Sequence, residues 1–179
     1  MSQLLREDGE ILDAQTVRFE RLLPGPIERV WAYLTESDKR RKWLAAGDFD
    51  LREGGKTTLF FQHKNLSQKV VPVPEQFRKM NDEGHSLDVT VLRAERPHLL
   101  AITWGEHSEV TFELTEQKSG EVLLTLTHRR LPKDDMRNVL PGWHSHLGIL
   151  ADVLGGREPD NFWSTFERMR AHYQPKLPK

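Results

Sequence analysis

The sequence has no cysteine among its 179 residues. Disulfide bridges, thiolate nucleophiles and cysteine-ligated zinc are therefore excluded from its chemistry. No segment approaches the roughly 20 apolar residues that a membrane-spanning helix needs. The N-terminal segment carries Glu7, Asp8 and Glu10 and has no apolar core, which is not typical of a signal peptide. We expect a cytoplasmic protein with no membrane partner.

An excess of positive charge is also missing, because 26 Lys and Arg residues are balanced by 27 Asp and Glu residues. Proteins that bind nucleic acids usually carry a basic excess, so we expect no nucleic-acid partner. The short basic run at residues 39–42 is typical of a solvated helix face. The sequence has no nucleophile elbow, no P-loop and no dinucleotide-binding glycine motif. It predicts no cofactor and no catalytic residue, and an enzyme is less expected than a binding protein.

The central part of the chain has the alternating pattern of β-strands. Apolar and charged residues alternate in Thr16–Leu23, and similar short segments recur between residues 49 and 128 with turn residues between them. Closely spaced strands with short turns predict an antiparallel meander. After the first strand, apolar residues at helical spacing predict two short helices, over 27–34 and 38–43. Residues 64–84 predict a long loop, because they contain prolines and few periodic apolar positions.

The C-terminal part predicts helices. One apolar stripe has the spacing i, i+4, i+7, i+11 and comprises Trp143, Leu147, Leu150 and Leu154. It predicts a long helix that opens at Pro141 and ends at Gly155-Gly156. A second stripe predicts a further helical segment and comprises Phe162, Phe166, Met169 and Tyr173.

We divide the chain into a flexible N-terminus at 1–15, one domain at 16–156 and a C-terminal helical extension at 157–179. The apolar stripe of the extension is expected to be buried, since an exposed patch of this size is uncommon on a monomer. It can pack on the domain's own surface, close the pocket as a lid, or form the contact of a homodimer.

Six segments, in order, resemble the SRPBCC (START-like, helix-grip) superfamily. The resemblance is strongest to the subfamily named after the activator of the ninety-kilodalton heat-shock chaperone's ATPase, and it covers roughly residues 16–156. The segments are RLLPGPIERVWAYLTESDKRRKWL, REGGK, RPHLLAITWG, SEVTFELTE, GEVLLTLTHRRLP and GWHSHLGILADVLGG. The predicted fold class is α+β, a curved antiparallel sheet wrapped around a long C-terminal helix, with two short helices after the first strand. The resemblance implies a pocket between that helix and the sheet, and it implies no particular reaction.

Two histidines are candidates for this pocket. His63 and His128 each share a strand face with apolar residues, Phe61 among them, by strict alternation. An imidazole in an apolar cavity can hydrogen-bond a ligand or act as a base. The alternative is a hydrogen-bonded histidine at a strand end, beyond the core.

The tryptophans are the other candidates, because an indole can form the wall of an apolar cavity or belong to the core. Trp31 and Trp143 match positions near the helix–sheet space in the resembling family, and Trp104 and Leu147 complete the set of pocket candidates. His144 and His146 form no metal pair, because residues i and i+2 point to different sides of a helix. They are expected at the surface or rim, and no metal site is predicted.

Three functions remain open. The first is a carrier or sensor of a small apolar molecule bound in the pocket. The second is contact with the heat-shock chaperone in a stress response, which the subfamily name suggests. The third is a cyclase- or hydrolase-like enzyme that uses the pocket histidines as acid or base.

Overall fold

One antiparallel sheet organises residues 7–179, the part of the chain that the computed structural model describes. Its strands are β1 (Glu10–Asp13), β2 (Thr16–Leu23), β3 (Lys56–Phe61), β4 (His85–Glu95), β5 (Leu99–Trp104), β6 (Ser108–Glu116) and β7 (Val122–Arg129). Their spatial order is β1-β2-β7-β6-β5-β4-β3. The helices are α1 (Ile27–Thr35), α2 (Ser37–Arg40), α3 (Arg78–Glu83), α4 (Met136–Leu154) and α5 (Phe162–Tyr173). Single 3₁₀ turns lie at His63–Asn65, Glu75–Phe77 and Gln174–Lys176.

The inner face of the sheet follows from the alternation in the sequence. Phe19 of β2 pairs with Leu126 of β7, and both side chains are buried. Leu126 in turn pairs with Phe112 of β6, which is also buried. Strands β2, β6 and β7 thus present every second side chain to one apolar layer. The predicted α+β fold, a curved antiparallel sheet with a long C-terminal helix, is confirmed.

Helix α4 lies against this layer through one stripe of side chains. The stripe is buried to 4% exposure or less and comprises Leu140, Trp143, Leu147, Leu150 and Leu154. The helix begins at Met136 and not at Pro141, so the predicted start was wrong. Pro141 is the sixth residue of the helix, past its first turn, and because it has no N–H it cannot donate to the carbonyl oxygen four residues before it.

Two further elements differ from the sequence-based expectation. Residues 10–13, inside the segment expected to be flexible, form β1 and pair with β2; residues 1–6 lie outside the described part of the chain. The segment 64–84, expected to be a loop, contains α3. Both elements are short and lack a clear apolar period, so periodicity gives little signal for them.

The basic run at 39–42 is not a uniformly solvated face, because Arg40 is only 1% exposed. Its guanidinium donates hydrogen bonds to the carbonyl oxygens of Leu34, Ala45 and Gly47. It also lies 4.3 Å from the centre of the Phe49 ring. Arg40 therefore joins the end of α1 to the loop that leads to β3, and burial lowers its pKa to about 10.

The C-terminal extension packs on the chain's own domain. Four residues of α5 are buried, namely Phe162, Trp163, Phe166 and Tyr173. The Tyr173 hydroxyl accepts from the Gly9 backbone N–H at 2.7 Å and lies 2.8 Å from Nδ1 of His144 on α4. Among the helices formed by residues 7–179, none combines the length and apolarity needed to cross a membrane.

Candidate functional site

A cavity of about 430 Å³ lies between the N-terminal half of α4 and one end of the sheet. The sheet contributes residues from β3 to β7, and α4 contributes Val139, Gly142, Trp143 and His146. Residues of α3 and α5 close the remaining side. The walls are mostly aromatic or aliphatic, and among the described residues that line them there is no Lys or Arg.

His128 lies at the end of β7 in a chain of hydrogen bonds. The Trp143 indole N–H can only donate, and it donates to Nδ1 of His128 at 3.0 Å. The proton of the neutral ring is therefore on Nε2, which donates to the Ser108 hydroxyl at 2.8 Å. The Ser108 hydroxyl in turn donates a hydrogen bond to the carbonyl oxygen of Trp104 at 2.6 Å. Both imidazole nitrogens of His128 are thus used within the protein.

Burial also fixes the charge of His128. The ring is 0% exposed, and desolvation lowers its pKa to about 3. The neutral ring is therefore the state present at pH 7, in the tautomer that the Trp143 bond selects. His128 therefore has a structural role in the cavity wall, because neither ring nitrogen is left to bind a ligand or to accept a proton from one.

His63 is different, because its Nδ1 is buried and has no hydrogen-bond partner within residues 7–179. The ring lies 4.5 Å from that of Phe162 and 5.2 Å from that of Trp163, centroid to centroid. It stacks on Phe61 at 6.0 Å. Burial, aided by the neighbouring His146 and by His85, lowers the pKa of His63 to about 3. His63 is thus a neutral polar group enclosed by aromatic rings.

His146 lies beside His63 on the wall formed by α4. The carbonyl oxygen of Trp43 can only accept, so Nδ1 of His146 carries the proton and donates to it at 2.8 Å. Nε2 is then left with a lone pair, on a ring that lines the cavity. Burial lowers the pKa of His146 to about 4. The two rings, His63 and His146, are 5.5 Å apart, and we call them the histidine pair.

Helix α5 covers the histidine pair. Phe162 lies 4.5 Å from His63 and 4.7 Å from His146. The Trp163 indole N–H donates to Oδ1 of the buried Asn81 on α3 at 2.8 Å. Trp163 also stacks on Phe77 at 5.1 Å. The extension and the segment 64–84 together therefore form one side of the cavity.

Five of the seven residues proposed from the sequence line this cavity: Phe61, His63, Trp104, His128 and Trp143. Trp31 is 3% exposed and borders a separate, more polar groove beside α1 and α2. Leu147 is 0% exposed and lies in the layer between α4 and the sheet. The sequence pattern places both as apolar residues but does not distinguish cavity wall from core.

Sequence reasoning missed His146, which is 6% exposed and not at the surface or rim as expected. The signal was present, because His146 follows Trp143 by three residues and so shares the buried side of α4. The aromatic residues of α5 were expected to be covered, and the structure brings Phe162, Trp163 and Phe166 to the cavity. No cluster of three or more metal-ligating side chains occurs within residues 7–179.

A curved antiparallel sheet that wraps around a C-terminal helix, with a cavity between them, defines the helix-grip, START-like class of proteins. Within this class, residues 24–155 match the family described as activator of Hsp90 ATPase homolog 1-like protein. This match spans most of the chain, and the protein belongs to that family.

Solved structures agree with this assignment. A protein of Bordetella parapertussis, solved by NMR, is 42% identical over 99% of this chain and 94% of its own, with a TM-score of 0.80. CalU16 from Micromonospora echinospora is 23% identical over 90% of this chain and 87% of its own, with a TM-score of 0.65. A conserved protein of Enterococcus faecalis is 21% identical over 94% and 90%, with a TM-score of 0.64. The last two support the fold alone, and no curated protein matches the sequence.

Proposed function

We propose that the protein binds a small, mostly apolar molecule in the cavity between α4 and the sheet. The observation that carries the proposal is a cavity of about 430 Å³ with aromatic and aliphatic walls and two buried, incompletely hydrogen-bonded imidazoles. Small-molecule sites are typically clefts of roughly 300–1,000 Å³ with apolar walls and few polar groups. Burial of the ligand's apolar surface would supply the driving force, at roughly 25 cal/mol per Å² before the costs of association.

The protonation states favour binding over acid–base catalysis. A general base works best when its pKa is near the working pH. The pKa values of His63 and His146 are lowered to about 3 and about 4, so both rings are weak bases at pH 7. His128 has no free nitrogen. The cavity therefore offers fixed, neutral hydrogen-bonding groups, which suit recognition.

Two glycines of α4 provide a matched test. A Cβ atom added at Gly142 or at Gly148 meets no atom within 4 Å, and both residues are half-buried on the same helix. Gly142 lines the cavity, whereas Gly148 lies on a different groove beside Arg21 and His144. Leucine at position 142 would occupy the ligand space, and leucine at position 148 would not.

The experiment uses 1-N-phenylnaphthylamine, an uncharged dye that fluoresces when it enters an apolar site. We expect saturable binding to the wild type and to Gly148→Leu, and none to Gly142→Leu. Equal binding to both variants would place the dye elsewhere and contradict the proposal. In parallel, mass spectrometry of the denatured, freshly purified protein would identify any molecule released from the cavity.

A further inference from the structure

We infer that the bound molecule carries an uncharged hydroxyl group, and that His63 and His146 recognise this hydroxyl together. This inference rests on the proposed function, because it concerns the polar end of the same cavity. It names the chemical class of the ligand, an apolar alcohol or phenol, and assigns the histidine pair as its specificity determinant.

His146 requires a ligand that donates a hydrogen bond. The bond from its Nδ1–H to the Trp43 carbonyl, 2.8 Å long, fixes the tautomer and leaves only a lone pair on Nε2. The ring is 6% exposed and lines the cavity. A methyl, a carbonyl or a carboxylate placed against this nitrogen offers it no proton, whereas an O–H does.

His63 supplies the complementary group. A neutral imidazole has one N–H and one lone pair, and the His63 ring lines the cavity with 7% exposure. Its Nδ1 has no hydrogen-bond partner within residues 7–179, and buried polar groups in native proteins are almost always hydrogen-bonded, so this ring is suited to bond a polar atom of a ligand. A hydroxyl can donate to His146 and accept from His63 at the same time. The ring centroids are 5.5 Å apart, close enough for one oxygen atom to contact both rings.

The charges around the cavity argue against an ionic ligand. A carboxylate would need a cation or several donors, and no Lys or Arg is found among the described lining residues. An ammonium group would need a buried anion, and the one acidic lining residue, Asp135, is exposed just before α4 begins. The polar end of the cavity therefore matches a neutral group that both donates and accepts.

Three naphthalene probes of similar shape test the inference: 2-naphthol, 2-methylnaphthalene and 2-naphthoate. Their dissociation constants are measured at pH 7.5 by NMR titration of the indole N–H signals of Trp143 and Trp163, which lie in the cavity wall. We expect 2-naphthol to bind about tenfold more tightly than 2-methylnaphthalene, the effect of one to two hydrogen bonds. The carboxylate is expected to bind most weakly.

Two variants assign the effect to the pair. His63→Phe is expected to bring the ratio of the 2-naphthol and 2-methylnaphthalene constants close to one while it retains 2-methylnaphthalene binding, and His146→Phe is expected to do the same. His144→Phe is the control, since His144 lies on the same helix but bonds to Tyr173 outside the cavity.

The outcomes separate the two proposals. A wild-type protein that binds 2-naphthol and 2-methylnaphthalene equally, or a preference that survives His63→Phe and His146→Phe, overturns the hydroxyl assignment and leaves the apolar site intact. Failure of all three probes to shift the indole signals would overturn both proposals.

Discussion

The imidazole rings in the cavity wall differ in whether their nitrogens are hydrogen-bonded to other groups of the protein. His128 has both nitrogens bonded, to Trp143 and to Ser108, and it belongs to the structural frame. His63 has a buried Nδ1 with no partner. A buried polar atom without a partner lowers stability, so this contrast makes opposite predictions for two chemically identical substitutions.

We expect His63→Phe to stabilise the protein by about 1 kcal/mol, because an apolar ring replaces an unpaired polar one among aromatic neighbours. His128→Phe is expected to destabilise it by about 2 kcal/mol or more, since the Trp143 N–H and Ser108 lose their partner. Urea denaturation of both variants provides the measurement. A destabilised His63→Phe protein would mean that this ring has a structural role that the geometry does not reveal.

The buried histidines also predict how stability depends on pH. Each has a folded-state pKa, about 3 for His63 and His128 and about 4 for His146, below the ordinary value of 6.5. Below pH 6.5 the unfolded chain therefore binds protons that the folded chain does not, and the free energy of unfolding falls as the pH falls. At pH 5 the loss is roughly 2 kcal/mol for each of these three residues, relative to pH 8.

Denaturation curves recorded between pH 8 and pH 5 check this prediction. His63→Phe should have a shallower dependence than the wild type over this range, because it lacks one of the histidines that stay neutral in the folded protein. A free energy of unfolding that does not change between pH 8 and pH 5 would refute the neutral, buried state of these rings.

At the level of single residues, strand alternation predicted His63 and His128 as candidates for the cavity. Each lies two residues from an apolar residue and in that pattern therefore shares its strand face. The structure places His63 two residues past the end of β3, in a 3₁₀ turn, where it lines the cavity. His146 lies two residues from His144, a spacing that only separates these two rings, whereas its spacing of three from Trp143 places it on the buried side of α4. Alternation and helical period assign a side chain to a face, but only the folded chain determines which part of that face remains unfilled.

Among the elements, α5 is the one whose position decides whether the cavity is closed. Its N-terminus is held by Asn161, whose Oδ1 accepts from the Trp163 backbone N–H at 2.9 Å and whose Nδ2 donates to the Lys69 carbonyl at 2.7 Å. The same side chain thus caps the helix and ties it to the segment before α3. Because Phe162 and Trp163 follow directly, the cap also positions two residues of the cavity wall.

Asn161→Ala should destabilise the docked helix by about 1 kcal/mol, the usual effect of losing an N-cap. Hydrogen exchange measured by mass spectrometry should then be faster in peptides from α5 and unchanged in peptides from β6 and β7. Ser164→Ala is the matched control, because its exposed hydroxyl bonds only to the Asn161 carbonyl. Equal exchange in the two variants would show that the cap does not hold the helix.

The long, strongly periodic elements were predictable from the sequence. The strand Thr16–Leu23 has its predicted bounds, and α4 follows its predicted stripe to Leu154. The short elements β1 and α3 were not predictable, since β1 is stabilised by pairing with β2 and α3 by contacts that include Trp163 with Asn81. Such tertiary interactions leave no local period in the sequence.

Across the whole molecule, the Tyr173 hydroxyl connects regions that are far apart in the chain. It accepts from the Gly9 N–H and lies at hydrogen-bond distance from His144 on α4. The hydroxyl oxygen can accept from the Gly9 N–H and at the same time bond to Nδ1 of His144, with the direction of that second bond set by the tautomer of the ring. One side chain thus holds the segment before β1, the long helix and the end of α5 together.

Tyr173→Phe is expected to lower the free energy of unfolding by about 1–2 kcal/mol, because a buried N–H and a ring nitrogen lose their partner. Tyr33→Phe provides the control, since Tyr33 is the other of the 2 tyrosines and is also buried, and its hydroxyl has no hydrogen-bond partner within residues 7–179. Thermal denaturation should therefore separate the two variants. Equal midpoints would contradict the connecting role of Tyr173.

The strand order has a consequence for how the chain acquires its structure. β2 pairs with β7, with Val17 opposite His128, so the first long strand cannot complete its hydrogen bonds until the last strand exists. Pairings between distant parts of a sequence are slow to form, and chains emerge from the ribosome N-terminus first. Before β7 has been synthesised, β2 can pair only with the short β1, and its apolar side chains are not yet buried against the rest of the sheet. The interval before β7 is made is therefore the period in which this protein is most exposed to aggregation.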